Sequence, residues 1–151
     1  MTPAIPPSFA LPSESRLRLS VPERNAIDAL LAHTATPEQF GIVECIFEVG
    51  IRAIKKAQKA PHCKHLEPEA LSQALLDFHR AGHALDRIKA RKETAGVYGL
   101  DAYDRNCILE MDGWNGALQS PGFIPRAIWL AALRDGAHRK GRVVLIPIEQ
   151  L

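Results

Sequence analysis

The segment from residue 36 to residue 59 constrains the fold most, because apolar residues cover most of its circumference when it is drawn as a helix. They form two adjoining rows at the three- and four-residue spacing of an α-helix. One row holds Phe40, Val43, Phe47, Gly50 and Ile54, and the other holds Ile42, Ile46, Val49 and Ala53. Such a helix must be covered from several sides. We therefore expect a central helix, with Phe47 and Ile54 almost fully buried.

Helix start and stop signals extend this pattern to most of the chain. Thr36 and Gln39 predict a capping box at the start of the central helix. Further helices are expected over about 21–33, 68–94, from 101 onward and 125–135. Gly96 and Gly136 are expected to end the third and fifth helices, whereas Gly113 leaves open whether the fourth continues or turns. The sequence thus predicts an all-α fold, an antiparallel bundle of four or five helices.

The fourth predicted helix also has a recognisable inner face. Its apolar residues recur at helical spacing and are expected to face the bundle. They are Tyr103, Cys107, Ile108, Met111, Trp114 and Leu118.

The two ends of the chain follow other patterns. Residues 1–15 contain four prolines and predict an extended arm outside a single helical domain at 16–151. The segment 16–21 alternates basic and apolar residues, and Val143–Ile148 is a β-branched run that predicts an edge strand. We expect the two segments to pair as a small two-stranded ribbon. Since a strand edge needs a partner, the ribbon predicts an oligomer or a partner contact. The residues expected there are Arg16, Arg18, Arg139, Arg142, Val143 and Leu145.

Composition excludes some classes of protein. The 19 basic and 17 acidic side chains give a net charge of +2, which is too balanced to indicate nucleic acid by itself. No apolar run approaches the roughly 18–20 residues of a membrane span, and the N-terminus lacks the pattern of a secretory signal. Three cysteines without a repeated spacing fit free thiols in a reducing compartment. These features predict a cytoplasmic protein that does not contact a membrane.

Five possible metal donors lie within 22 residues of one another: His62, Cys63, His65, His79 and His83. His79 and His83 are four residues apart, on one face of the third predicted helix. His79 follows Pro68 by about 16 Å of helix, so the loop donors would have to fold far back to reach it. We interpret the two histidines as partly buried polar residues and expect no metal or cofactor, with metal binding kept as an alternative.

The sequence around His83, GHALDR, also resembles the His-x-Leu-Lys-Gly motif of histidine-phosphotransfer domains, which are four-helix bundles. His83 and Leu85 match the motif, whereas Asp86 and Arg87 stand where the family has Lys and Gly. The resemblance implies a phosphoryl group accepted by His83, and it keeps phosphotransfer as an alternative function.

Seven basic residues, including Lys89, occur near the ends of the second and third predicted helices, and six of them are candidates for a basic patch: Lys55, Lys56, Lys59, Arg87, Arg91 and Lys92. Cations are favourable near helix C-termini, which accounts for most of them. If the two ends were adjacent, the residues would form one patch able to bind phosphate. Nucleic-acid binding is therefore a second alternative.

Catalytic motifs are absent from the sequence. It has no Gly-x-Ser-x-Gly elbow, and Cys63 is the only loop cysteine, beside His62 and Lys64, which could lower the pKa of its thiol. We therefore expect a small non-catalytic regulatory protein that binds another macromolecule, most simply a protein, and we keep a homo-oligomer as an alternative.

Overall fold

The computed structural model describes residues 21–60, 63, 66–118 and 123–140. It contains five α-helices over this part of the chain and no strand, which confirms the all-α class. The helices are α1 (Val21–Leu31), α2 (Pro37–Lys59), α3 (Pro68–Ala95), α4 (Ala102–Leu118) and α5 (Arg126–Lys140). None of the described helices combines the length and hydropathy that crossing a membrane requires. The proline-rich arm and the predicted ribbon lie outside the described residues, apart from Val21, which opens α1.

Two predicted helix boundaries are confirmed by their capping contacts. The Thr36 hydroxyl accepts a hydrogen bond from the backbone N–H of Gln39 at 3.1 Å, and the Gln39 side chain accepts one from the Thr36 N–H at 3.0 Å. This is the predicted capping box at the start of α2. Gly96 ends α3 with a φ of +83°, the left-handed conformation that glycine adopts without steric cost.

Two other glycines do not interrupt their helices. α4 continues through Gly113 to Leu118, which answers the question that the sequence left open. The prediction that Gly136 ends the fifth helix is wrong, because α5 extends to Lys140. A glycine inside a helix costs only about 1 kcal/mol relative to alanine, so the neighbouring turns can override it. Arg139, expected in a basic turn, therefore belongs to α5.

α2 contacts α1, α3 and α5, as expected of an enclosed helix. Ile54 is fully buried, in agreement with the sequence. Phe47 is only partly buried, so the expectation of near-complete burial is wrong for this residue. Its ring lies over Gly82 of α3.

α2 and α3 pack through two aromatic rings placed on glycines of the opposite helix. Phe78 of α3 lies over Gly50 of α2, and Phe47 of α2 lies over Gly82 of α3. A Cβ on Gly50 would be 2.1 Å from the nearest Phe78 ring carbon, so only glycine admits the ring. From one of these contacts to the other, the residue number increases in α2 and decreases in α3. These two helices therefore run in opposite directions.

Candidate functional site

A buried carboxylate joins the C-terminal half of α3 to the start of α4. Asp104 is fully buried, and its Oδ1 accepts a hydrogen bond from Nε of Arg87 at 2.9 Å, with Nη2 of the same guanidinium 2.7 Å away in an ion pair. Its Oδ2 accepts a hydrogen bond from Nη1 of Arg91. The backbone N–H of Asp104 donates to Oδ1 of Asp101 at 2.7 Å, so Asp101 caps the N-terminus of α4. One carboxylate therefore holds two guanidinium groups at the junction of the two helices.

The charge of Asp104 is maintained by these arginines. Burial by itself raises the pKa of the carboxyl, but the hydrogen bonds and charges of Arg91 and Arg87 outweigh it. The net result is a pKa below the ordinary value, so the carboxylate stays ionised at neutral pH. Arg87 also stacks over the Tyr103 ring, with its Cζ 5.5 Å from the ring centroid. The arrangement is a stable ion-pair network and lacks the raised carboxyl pKa that a general acid needs.

A second buried carboxylate connects the same two helices nearer the N-terminus of α3. Asp77 of α3 accepts a hydrogen bond on Oδ2 from the Trp114 indole N–H of α4 at 2.8 Å. Its Oδ1 accepts one from the Gln73 amide at 3.0 Å, with Nη1 of Arg80 at 3.5 Å. Because both oxygens of Asp77 have donors, this group too serves to connect helices.

α1 is attached to α4 by a bidentate ion pair. Arg24 donates from Nη1 to Oδ1 of Asp112 at 3.1 Å and from Nη2 to Oδ2 at 2.9 Å. Two parallel hydrogen bonds of this kind fix the relative orientation of both side chains. Asp77, Asp104 and Asp112 are thus the carboxylates of α3 and α4 that are buried or bidentately paired among the described residues. They bind side chains of neighbouring helices rather than one another.

The basic residues predicted to form one patch lie at opposite ends of α3. The end of α2, which carries Lys55, Lys56 and Lys59, lies beside the first turns of α3, where Ala57 and Ala60 share a cleft with Pro68 and Ser72. Arg87, Arg91 and Lys92 come roughly 20–30 Å further along α3. The structure therefore does not bring the two groups together, and two of the three arginine and lysine side chains at the far end bind Asp104.

The environment of Cys63 does not lower the pKa of its thiol, as its neighbours in the sequence could have done. It is buried at the wall of that cleft, which has a volume of about 320 Å³, and burial raises the pKa of its thiol. A thiol with a raised pKa is a poor nucleophile at neutral pH. Its sequence neighbours His62 and His65 lie outside the described residues.

His79 and His83 are exposed on α3, so the interpretation that they are partly buried is wrong. The cleft that contains Cys63 ends near Ser72, about two helical turns before His79, which separates Cys63 from the histidines. Within the part of the chain that the structure describes, no group of three or more His, Cys, Asp or Glu side chains is placed to hold a metal ion.

The predicted terminal contact cannot be located on this fold. Arg16, Arg18, Arg142, Val143 and Leu145 lie outside the described residues, and only the backbone of Arg139, in α5, is described.

The sequence did not single out the outer face of α4. Six of its residues share this face at helical spacing, and all are exposed and uncharged: Ala102, Asn106, Leu109, Gly113, Gly116 and Ala117. We refer to them as the α4 outer row. Leu109 exposes 44% of its surface, and a Cβ on Gly113 would meet no atom within 4 Å. The lack of charge at this helical spacing is the signal by which the sequence identifies this face.

One further expectation for α4 is wrong. Tyr103 was predicted to face inward, yet it is 59% exposed and lies against Arg87. The remaining predicted inner residues are buried or partly buried, including Cys107, Ile108 and Met111.

Comparisons of the chain with protein-family models, with curated proteins and with solved structures found no match.

Proposed function

We propose that this chain is a small non-catalytic protein that acts by binding another protein through the α4 outer row. The observation that carries the proposal is the absence of charge from the six exposed positions of the α4 outer row, which Arg105 and Glu110 flank. The solvent face of a surface helix is normally rich in charged residues. A face that is exposed and uncharged is instead typical of the core of a protein–protein interface, where charged residues are depleted.

The shape of the row indicates the chemistry of its partner. Gly113 leaves open space above the helix, so a partner backbone can approach closely there. Leu109 projects beside it, and complete burial of a leucine side chain contributes about 1.5–3 kcal/mol. A charged partner surface would lose its hydration against this row without gaining an ion pair. The partner is therefore expected to present an apolar helix with few charges.

The basic residues give less support to nucleic-acid binding. Arg87 and Arg91 share their charge with a buried carboxylate, which reduces the positive potential that they offer to phosphate. The lysines at the end of α2 are too far away to add to theirs.

The test is capture of partners from the native cell extract by the wild-type chain and by Leu109→Arg, which places a charge in the row. A protein captured by the wild type is then purified and titrated against both chains. We expect Leu109→Arg to weaken its binding at least tenfold while keeping the helical circular dichroism of the wild type. Leu76→Arg is the matched control, because Leu76 is similarly exposed, at 45%, but lies on α3.

The control should bind the partner as the wild type does. Equal binding by the wild type and Leu109→Arg would contradict the proposed surface. Loss of binding in Leu76→Arg alone would move the contact to α3.

A further inference from the structure

His79 and His83 form an unpartnered pair on the exposed face of α3. They are one helical turn apart, and neither makes a hydrogen bond or an ion pair with the described residues. Side chains at this spacing have Cβ atoms about 5–6 Å apart and project to the same side of a helix. Both imidazoles are therefore free to bind one ligand together.

The backbone between the two histidines is held firmly by the core. Phe78, Ala81 and Ala84 alternate with them in sequence and are fully buried. Arg80 also lies within this turn, but its guanidinium is directed to Asp77, with 3.5 Å between Nη1 and Oδ1. Its charge is thereby partly neutralised, which lowers the repulsion of a cation at the histidine pair. The spacing of the two rings is consequently set before any ligand binds.

We propose that His79 and His83 bind one divalent ion of the late first-row transition metals through one ring nitrogen each. Neutral imidazole suits copper, nickel and zinc, and paired histidines four residues apart on a helix are an established way to hold such an ion. Among the described residues these two histidines are not part of a group of three or more side chains placed to hold a metal ion, so water completes the coordination. Affinity should follow the general order of these ions, with Cu²⁺ bound more tightly than Ni²⁺ or Zn²⁺.

This site is an open one and differs from a structural metal centre. Structural zinc sites use four protein ligands and contribute directly to folding. A pair on the surface of an already packed helix adds no cross-link between elements. The fold should therefore form without metal, and the ion should exchange readily. The site is also independent of the α4 outer row, so the failure of either proposal leaves the other intact.

The test is calorimetric titration of the purified full chain with Cu²⁺, Ni²⁺ and Zn²⁺ at a pH of about 7.5. We expect one ion per chain, and a loss of at least about tenfold in affinity in His79→Ala and in His83→Ala. His33→Asn is the matched control: His33 is exposed and isolated, with a φ of +64° that asparagine tolerates. The control and the loop variant His62→Gln/His65→Gln should keep the wild-type affinity.

The double variant supplies a second readout. Undiminished binding by the His79→Ala/His83→Ala double variant would overturn the proposal, as would loss of binding in the loop variant alone. An absence of binding to the wild type at millimolar Cu²⁺ would overturn it as well.

Discussion

α3 meets its two neighbours in different ways. Against α2 it uses shape, because Phe78 and Phe47 each lie on a glycine of the opposite helix. Against α4 it uses charge, because Asp104 and Asp77 accept hydrogen bonds across or along the interface from arginine, glutamine and tryptophan side chains. A single helix thus presents an aromatic face to one side and an ionic face to another.

The difference shows how each interface specifies its neighbour. Dispersion and burial stabilise an interface at any pH, but they require a close geometric match, so a single added methyl group changes the stability. A buried carboxylate requires hydrogen-bond donors and its charge, and it depends on the protonation state. Substitutions at the two interfaces should therefore respond differently to volume and to pH.

The largest effect is expected from Phe78→Ala at the α2–α3 interface. Phe78 is fully buried, and removing a buried phenylalanine costs about 3–5 kcal/mol through lost transfer energy and the cavity left behind. Urea unfolding followed by circular dichroism measures the change. Phe47→Ala should cost less, because Phe47 is only partly buried. Equal losses in the two variants would mean that Phe47 is more enclosed than its exposure indicates.

At the α3–α4 interface, Asp104→Asn should cost about 2–3 kcal/mol, because hydrogen bonds to a charged acceptor are lost while the shape is kept. The loss stays below that of a fully buried ion pair, since both arginines are partly exposed and can turn to water. The same unfolding titration applies. A loss below about 0.5 kcal/mol would show that the network adds little to stability.

Lowering the pH should selectively weaken the ionic interface between α3 and α4. The pKa of Asp104 is lower in the folded chain than in the unfolded one, so its contribution is complete above the ordinary aspartate pKa of about 3.9. It is lost as the pH falls through the lowered folded value. The stability difference between the wild type and Asp104→Asn should therefore be constant near neutral pH and shrink below about pH 4. A difference that is the same at pH 3 and pH 7 would contradict this assignment.

The smallest effects on stability are expected from substitutions of Gly50 and Gly113. Gly50→Ala should cost about 1–3 kcal/mol, because its Cβ would overlap the Phe78 ring. In a Phe78→Leu background the same change should cost less. Gly113→Ala is the matched control, since its Cβ meets nothing; replacing an exposed helical glycine should stabilise the chain by up to about 1 kcal/mol. Thermal unfolding of the four variants separates steric overlap from helix propensity.

The sequence by itself determined the helices and most of their boundaries. The capping box at Thr36 and the left-handed Gly96 were predictable because both depend on residues within one helical turn. The enclosure of Ile54 was also predictable, since an apolar residue on a helix that is apolar almost all round has to be covered. Local chemistry and periodicity suffice for features of this kind.

Only the tertiary structure decided which side chains meet. Gly50 was visible as a member of a helical row, but the notches at Gly50 and Gly82 depend on aromatic rings about 30 residues away in the chain. Arg87 and Arg91 were predicted to offer a basic surface, whereas Asp104 on the next helix binds both. The α4 outer row is a candidate binding surface only because no described helix covers it. Contacts between distant residues depend on how helices dock, and helical periodicity fixes the faces of each helix without fixing its neighbour.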